Sequence, residues 1–317
     1  MVLMLILAGL ALLALGGELL VRGSVNSARV LGVSPLLIGL TLVGFGTSMP
    51  ELVTSLFAAV RNAPGIAVGN VIGSNTANIL LILGVSALIS PLAVRPEAYR
   101  RESFALAAST LACIAAVLHG HLNQITGAAL VGLLIAYIVW AYRSERSVPG
   151  AEVTMHRQMA VDAVPRRRGL GLALGNAAIG IAMTVLGARL LVDGAVALAR
   201  SWGASETVVG LTVVALGTSL PELVACAVAA YRGHSDVALG NVIGSSIYNV
   251  LGILGLTAIV HPIDVPAEIA RLDIWVLAGA TAVLLLFLRT RWVLSRWEGG
   301  VFLAGYAGYM VYLVTQT

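Results

Sequence analysis

The tract Thr47-Ser48-Met49-Pro50-Glu51 returns in the second half of the chain as Thr218-Ser219-Leu220-Pro221-Glu222. Each copy lies inside an apolar stretch long enough to cross a bilayer. A carboxylate placed in hydrocarbon costs about 3 kcal/mol on insertion scales, so an acidic residue there is a functional feature by default. Two of them at matching positions make a pair of acidic ligands, and the first expectation is a cation pathway.

The flanking residues add neutral oxygens. Gly44-Phe45-Gly46-Thr47 leads into the first copy and Ala215-Leu216-Gly217-Thr218 into the second. Glycine costs about 1 kcal/mol in a helix interior, and proline removes a backbone donor and clashes with the preceding turn. Together they predict a break in each span. The carbonyls around Gly44 to Thr47 and Ala215 to Thr218 are then free to face a cation. Unwound backbone at this depth is tolerated only where it lines a cavity or is buried in protein. Farther on stand Gly73-Ser74-Asn75-Thr76-Ala77-Asn78 and Gly244-Ser245-Ser246-Ile247-Tyr248-Asn249. Gly-Ser permits a second local break, and Asn78 and Asn249 offer amide oxygens.

Two plainer readings compete. Ser48-x-x-Glu51 and Ser219-x-x-Glu222 also fit the capping box, in which the glutamate reaches back to the N-cap amide. The asparagines at 70, 78, 241 and 249 also fit hydrogen-bonded glue between packed spans. Glutamine would cap without the cost of a charge, so glutamate in both copies favours ligation. Summed, the two carboxylates, the carbonyls near Thr47 and Thr218, the hydroxyls and the two amides form an all-oxygen set of charge −2. Flexible carboxylates in number suit Ca²⁺, whereas Mg²⁺ keeps tight octahedral geometry and several waters. One Ca²⁺ or two Na⁺ would neutralise the pair, which makes the ions mutually exclusive. A proton is a third rival occupant.

The rest of the chain must hold such a site in a membrane. Of 317 residues 59% are hydrophobic and 11% charged, and mean hydropathy is +0.96. Soluble domains carry about 25% charged residues. All 19 basic residues are arginine, mostly in connections, so the net charge of +4 reflects topology rather than nucleic-acid binding. Cys113 and Cys226 belong to no metal-binding pattern and read as small buried hydrophobes. Residues 1–17 are apolar without a basic leader and read as a retained first span.

Windows of about 20 apolar residues mark ten spans, roughly 1–22, 34–60, 66–89, 101–119, 123–142, 170–192, 205–230, 237–260, 272–289 and 299–315. One long polar connection, 143–169, separates five from five. The halves are a duplication: residues 46–84 match 217–255 at 22 of 39 positions without a gap. Five is odd, so the second copy starts on the opposite side of the membrane. The expected fold is an all-α polytopic membrane protein of ten transmembrane helices in two inverted five-helix repeats, 1–142 and 170–317, with helices 2, 3, 7 and 8 broken. Inverted repeats are common in secondary transporters. With both termini outside, 15 arginines fall on the cytoplasmic side and 4 outside (61, 189, 200 and 271). The positive-inside rule then puts the 143–169 connection in the cytoplasm of a cell-membrane protein. Glu18/Arg22 and Arg189/Asp193 occupy matching positions and read as helix-end ion pairs. Arg61 and Arg232 read as interface anchors.

With these motifs, the chain resembles the sodium/calcium exchanger family of the cation/calcium antiporter superfamily. The residues that carry the resemblance are Gly46-Thr47-Ser48-Met49-Pro50-Glu51 with Gly69-Asn70-Val71-Ile72-Gly73-Ser74-Asn75, and their copies from Gly217 and Gly240. The resemblance implies that Glu51, Glu222 and the Thr47 and Thr218 carbonyls ligate Ca²⁺. Sodium sites would add Ser48, Ser74, Ser219, Ser245 and the carbonyls of Gly44 and Ala215, with Asn78 and Asn249 lining the centre. It implies exchange of several Na⁺ for one Ca²⁺ by alternating access, spans 1 and 6 sliding against the rest, with no cofactor beyond the transported ions. Two departures bear on this. Potassium-dependent members and some prokaryotic members carry aspartate where Asn249 stands, which argues against potassium dependence. The short 143–169 connection leaves no room for the calcium-sensing domains of animal exchangers.

The motifs, rather than the composition, thus carry the expectation of sodium/calcium antiport, with Ca²⁺ export as the expected direction. Proton/calcium antiport is the alternative. Proton-coupled relatives typically place an acid where Asn78 and Asn249 stand, which favours sodium. A passive cation channel is the remote alternative. An intramembrane hydrolase would need a nucleophile or metal-activated water, and the sequence offers no such arrangement.

Overall fold

The computed structural model describes residues 2–30, 48–94, 96–146, 170–233 and 235–315. The first half holds α1 (Val2–Val30), α2 (Met49–Val60), α3 (Pro64–Thr76), α4 (Leu83–Ile89), α5 (Pro96–His119) and α6 (Gln124–Arg146). The second holds α7 (Leu170–Trp202), α8 (Glu206–Val209), α9 (Ala215–Thr218), α10 (Leu220–Tyr231), α11 (Ser235–Ile247), α12 (Gly255–Val260), α13 (Ile274–Arg291) and α14 (Arg296–Thr315). Among the described residues, seven helices are long and apolar enough to cross a bilayer. The pair 206–218 and 220–231, bent by 48° at Ser219, is an eighth if it is counted as one span. Of the ten expected spans, the second is described only in its later part, α2. The tenth, α14, has 20 residues, about 30 Å of helix, but is not among the seven.

The expected break in spans 3 and 8 is not what forms. α3 runs into α4 through a π-helical segment, Ala77–Ile82, and α11 into α12 through another, Tyr248–Leu254. Each rod stays continuous across Gly-Ser. The π turns accommodate an extra residue, a feature frequent at functional sites. Gly73 serves packing instead. A Cβ there would lie 2.7 Å from the Leu211 carbonyl and 2.7 Å from the Ala215 Cβ, so only glycine admits the second half's segment this closely. These two rods are the centre of the bundle: 78% and 83% of their apolar windows are buried, against 22–39% for the other five continuous spans.

Around that centre, α1 and α7 pack along glycine stripes. Gly9, Gly16 and Gly23 form a heptad stripe on α1, and their sequence counterparts Gly180, Gly187 and Gly194 do so on α7. A seven-residue period keeps them on one face. A Cβ on Gly9 would sit 2.8 Å from the Gly187 carbonyl, one on Gly16 3.0 Å from the Gly180 carbonyl, and one on Gly23 2.7 Å from the Ala173 carbonyl. Ascending numbers on α1 meet descending numbers on α7, so these equivalent helices run antiparallel. Small residues let helix backbones approach in this way in membranes.

Elsewhere, too, the halves interlock, in one place through equivalent positions. The hydroxyls of Thr110 and its counterpart Thr281 meet at 3.4 Å. Strand β1 (Leu92–Ala93) pairs with β4 (Val293–Leu294), and β2 (His121–Leu122) with β3 (Ile263–Asp264), both antiparallel. Each strand pair thus joins the first half to the second. The two expected i,i+4 pairs form, Arg22–Glu18 at 2.6 Å and Arg189–Asp193 at 3.8 Å. Arg61 also reaches Asp193, at 3.5 Å, tying the end of α2 to α7. All these side chains are exposed, and such pairs contribute about 0–1 kcal/mol in water.

Candidate cation site

Glu51 and Glu222 occupy the first turns of α2 and α10, which start at Met49 and Leu220. Pro50 and Pro221 stand just before them, where a missing N–H is tolerated. Proline at 221 cannot donate to the Gly217 carbonyl one turn back, so the chain departs from helix at Ser219 (φ −86°, ψ 4°). Ser48 takes the same conformation (φ −87°, ψ 8°). Neither serine caps its helix with its side chain, so the capping-box reading does not describe the serine half of the motif. The Ser219 hydroxyl instead donates to Glu51 Oε1 at 3.0 Å, across the halves. That contact sets the first acidic residue against the break in the second copy.

The packing is crosswise. α2 lies against the π segment Tyr248–Leu254 that carries Asn249, and α10 lies against the π segment Ala77–Ile82 that carries Asn78. Glu51, Glu222, Asn78 and Asn249 are each 1% exposed, and Ser48, Ser74, Ala215, Thr218, Ser219 and Ser245 are likewise buried. Among the described residues, Ser48 Oγ, Glu51 Oε2, Ser74 Oγ, Asn78 Oδ1, Ser245 Oγ and Asn249 Oδ1 have no hydrogen-bond partner. Those six atoms belong to residues singled out from the sequence; Thr54, Ser86, Ser103, Ser246 and Tyr306, which were not, also bury a hydroxyl without a partner among the described residues. Buried polar groups are nearly always paired, so each exception calls for an explanation in strain, a water, an ion or a functional role. A set made only of oxygens fits a hard cation.

One expected ligand is more engaged than the sequence suggests. The Ala215 carbonyl still accepts from Ser219 N–H at 3.1 Å, because unwinding starts only after α9. The Thr218 hydroxyl lies 3.3 Å from the same oxygen, so a cation there competes with it. Thr47 and Gly44 lie outside the described residues.

Asn70, left open between glue and ligand, is glue of a particular kind. Its Nδ2 donates to the Glu51 carbonyl at 3.1 Å and to Ser55 Oγ at 2.9 Å. Its Oδ1 accepts from the Thr218 hydroxyl at 3.0 Å. One buried amide thus fixes both copies of the motif. Its counterpart Asn241 donates to Cys226 Sγ, which stands where Ser55 has its hydroxyl, at 3.3 Å. Asn70→Leu takes a partner from three polar groups in the core, and a buried group left unsatisfied costs about 1–3 kcal/mol. Its midpoint of thermal unfolding in detergent should fall well below that of Asn241→Leu.

The crossing of two duplicated, acid-bearing helices can be set beside known proteins. The family described as sodium/calcium exchanger protein matches residues 1–143 and 172–315. The chain belongs to the sodium/calcium exchanger family. Among its relatives, the putative antiporter CaxA of Alkalimonas amylolytica is 36% identical over 315 residues, 98% of each chain. The sodium/calcium exchanger MaX1 of Methanosarcina acetivorans is 32% identical over 98% of this chain and 97% of its own. A solved structure of the sodium-calcium exchanger NCX_Mj, soaked with 2.5 mM Na⁺ and 0.1 mM Ca²⁺, aligns over 98% of this chain and 97% of its own, with TM-score 0.64 and 34% identity. The fold is therefore the helical, multi-span membrane fold of this exchanger family, whose members move ions rather than convert substrates.

One residue within this family's signature was given no role of its own from the sequence. Asn75 sits between the halves, bonded to Asn249 and to Ser246. The available signal was that Gly-Ser-Asn in the first copy becomes Gly-Ser-Ser in the second.

Proposed function

We propose that this chain is a sodium/calcium antiporter that binds one Ca²⁺, or Na⁺ in its place, between Glu51 and Glu222, and exports Ca²⁺ by alternating access. The carrying observation is the buried set of unpaired oxygens on both sequence copies, held across the halves by Ser219 on Glu51. In this reading the carboxylates and the carbonyls of Thr47 and Thr218 take Ca²⁺. Ser48, Ser74, Ser219, Ser245, Gly44 and Ala215 complete sodium sites, and Asn78 and Asn249 line the centre. A site of charge −2 is neutralised by either load, so the two cations cannot share it. The halves, 1–142 and 170–317, act as inverted five-span repeats of a ten-span protein. Support comes from the antiparallel run of α1 and α7 and from the strand pairings. An even number of expected spans separates β1 from β4, and likewise β2 from β3, so each pair can form on one membrane face.

The deciding experiment is ⁴⁵Ca²⁺ uptake into proteoliposomes. Uptake against a calcium gradient should require an outward sodium gradient; a channel cannot accumulate. Equal uptake driven by a proton gradient in sodium-free buffer would instead favour proton coupling.

Both termini are placed outside in this proposal, and the 143–169 connection in the cytoplasm. The native Cys113 and Cys226 are buried and leave a quiet background for labelling. Ser201→Cys should react with an impermeant maleimide on intact cells, and Thr290→Cys only after permeabilisation. The reverse pattern would invert the orientation.

A further inference from the structure

Asn249 brings a neutral amide to the centre of a cation site. An amide has one end that attracts a cation and one that repels it. A carboxylate has no wrong end. Something must therefore set which end of Asn249 is offered.

The hydrogen bonds around it settle the direction in two steps. Asn75 Nδ2 donates to the main-chain carbonyl of Ser246 at 3.1 Å. A carbonyl can only accept, so this bond fixes which end of the Asn75 amide is nitrogen. Reversal would press two oxygens together. Asn75 Oδ1, thereby turned the other way, accepts from Asn249 Nδ2 at 3.0 Å. Asn249 is left with its amide nitrogen held and its Oδ1 buried without a partner among the described residues. Asn75 is itself 2% exposed, so no bulk water competes for either bond.

The arrangement is one-sided. Ser246 is the counterpart of Asn75 in the second copy. Its hydroxyl has no hydrogen-bond partner among the described residues, so it does not hold Asn78 in the same way. The two central amides are consequently not equivalent, although the sequence makes them look so. The Ser246 carbonyl also lies just before the π segment Tyr248–Leu254, where the helical bonding pattern widens. A side chain that ties down this carbonyl anchors the start of the segment bearing Asn249.

We infer that Asn75 is the positioning residue that turns the Asn249 amide oxygen toward the cation, and so allows a neutral residue to serve there. This rests on the proposed site, in which Asn249 lines the centre.

A double-mutant cycle tests it, because coupled residues depart from additivity. Ca²⁺ binding is measured by calorimetry on the purified full chain in detergent, for wild type, Asn75→Ala, Asn249→Asp and the double variant. Losing the equivalent of one net hydrogen bond should weaken Ca²⁺ binding by roughly three- to tenfold in Asn75→Ala. In the Asn249→Asp background, where either oxygen serves, the same change should weaken it by less than about twofold. An equal loss in both backgrounds would overturn the proposal and reduce Asn75 to packing. If Asn249→Asp alone alters neither Ca²⁺ nor Na⁺ binding, Asn249 leaves the site and the inference fails with that reading, while Glu51 and Glu222 variants still report on the site itself. Should Asn75→Ala not fold, Asn75→Ser carries the same test, since its shorter side chain also withdraws the acceptor.

Discussion

Glu51→Gln and Glu222→Gln should each abolish sodium-driven calcium uptake. The substitution keeps size and shape. In Glu51→Gln it also keeps an oxygen for the Ser219 hydroxyl, now 3.0 Å from Glu51 Oε1. What it removes is one of two negative charges facing a divalent ion. Ligand charge count helps move calcium affinity across several orders of magnitude in oxygen sites, so a loss of at least about 100-fold is expected. The fold should survive, because a buried charge is replaced by a neutral amide. The check is a pair of measurements: the thermal midpoint without cation, unchanged or raised, and the Ca²⁺-induced rise in that midpoint, which follows the ratio of ligand to dissociation constant and should vanish. A variant that retained the calcium-induced rise would remove that glutamate from the site.

The second large effect belongs to the glycine stripes. Gly180→Val should prevent close packing of α1 against α7. A Cβ at 180 would lie 2.5 Å from the Leu20 amide nitrogen and 2.7 Å from the Gly16 carbonyl, both main-chain atoms that cannot swing aside. Overpacking a well-filled contact costs about 1–3 kcal/mol, occasionally more. Here the helices must separate along their length, so the upper end applies and transport should be lost. Gly175→Ala on the same helix is the control. Its added Cβ meets nothing within 4 Å among the described residues, and it should keep both activity and thermal midpoint. Fluorescence-detected gel filtration after heating separates the two.

Most of the candidate site was legible because duplication writes it twice. Glu51 and Glu222 stand out by charge in an apolar context, and proline beside each marks the helix start that the structure shows at Met49 and Leu220. The break at Ser219 follows from the missing proline N–H. What could not be read was which glycines break a helix and which admit a neighbour. Gly73 looks like a breaker in sequence, yet its role depends on Leu211 and Ala215, far along the chain on the other half. Pattern rules see only the local chain. The same limit hid Asn75 and left Asn70 undecided, since their meaning lies in Ser246, Asn249 and Thr218, also on the other half. The heptad of glycines on α1 and α7 was visible in sequence, but nothing local distinguishes a packing stripe from scattered glycine.

Residues that face their own counterparts mark where the two copies meet each other. Thr110 touches Thr281, and Asn75 bonds Ser246. Two identical residues at such a meeting point would have to play the same part. Within one chain the two positions vary independently, and asparagine facing serine uses that freedom: one side chain donates and the other residue's carbonyl receives.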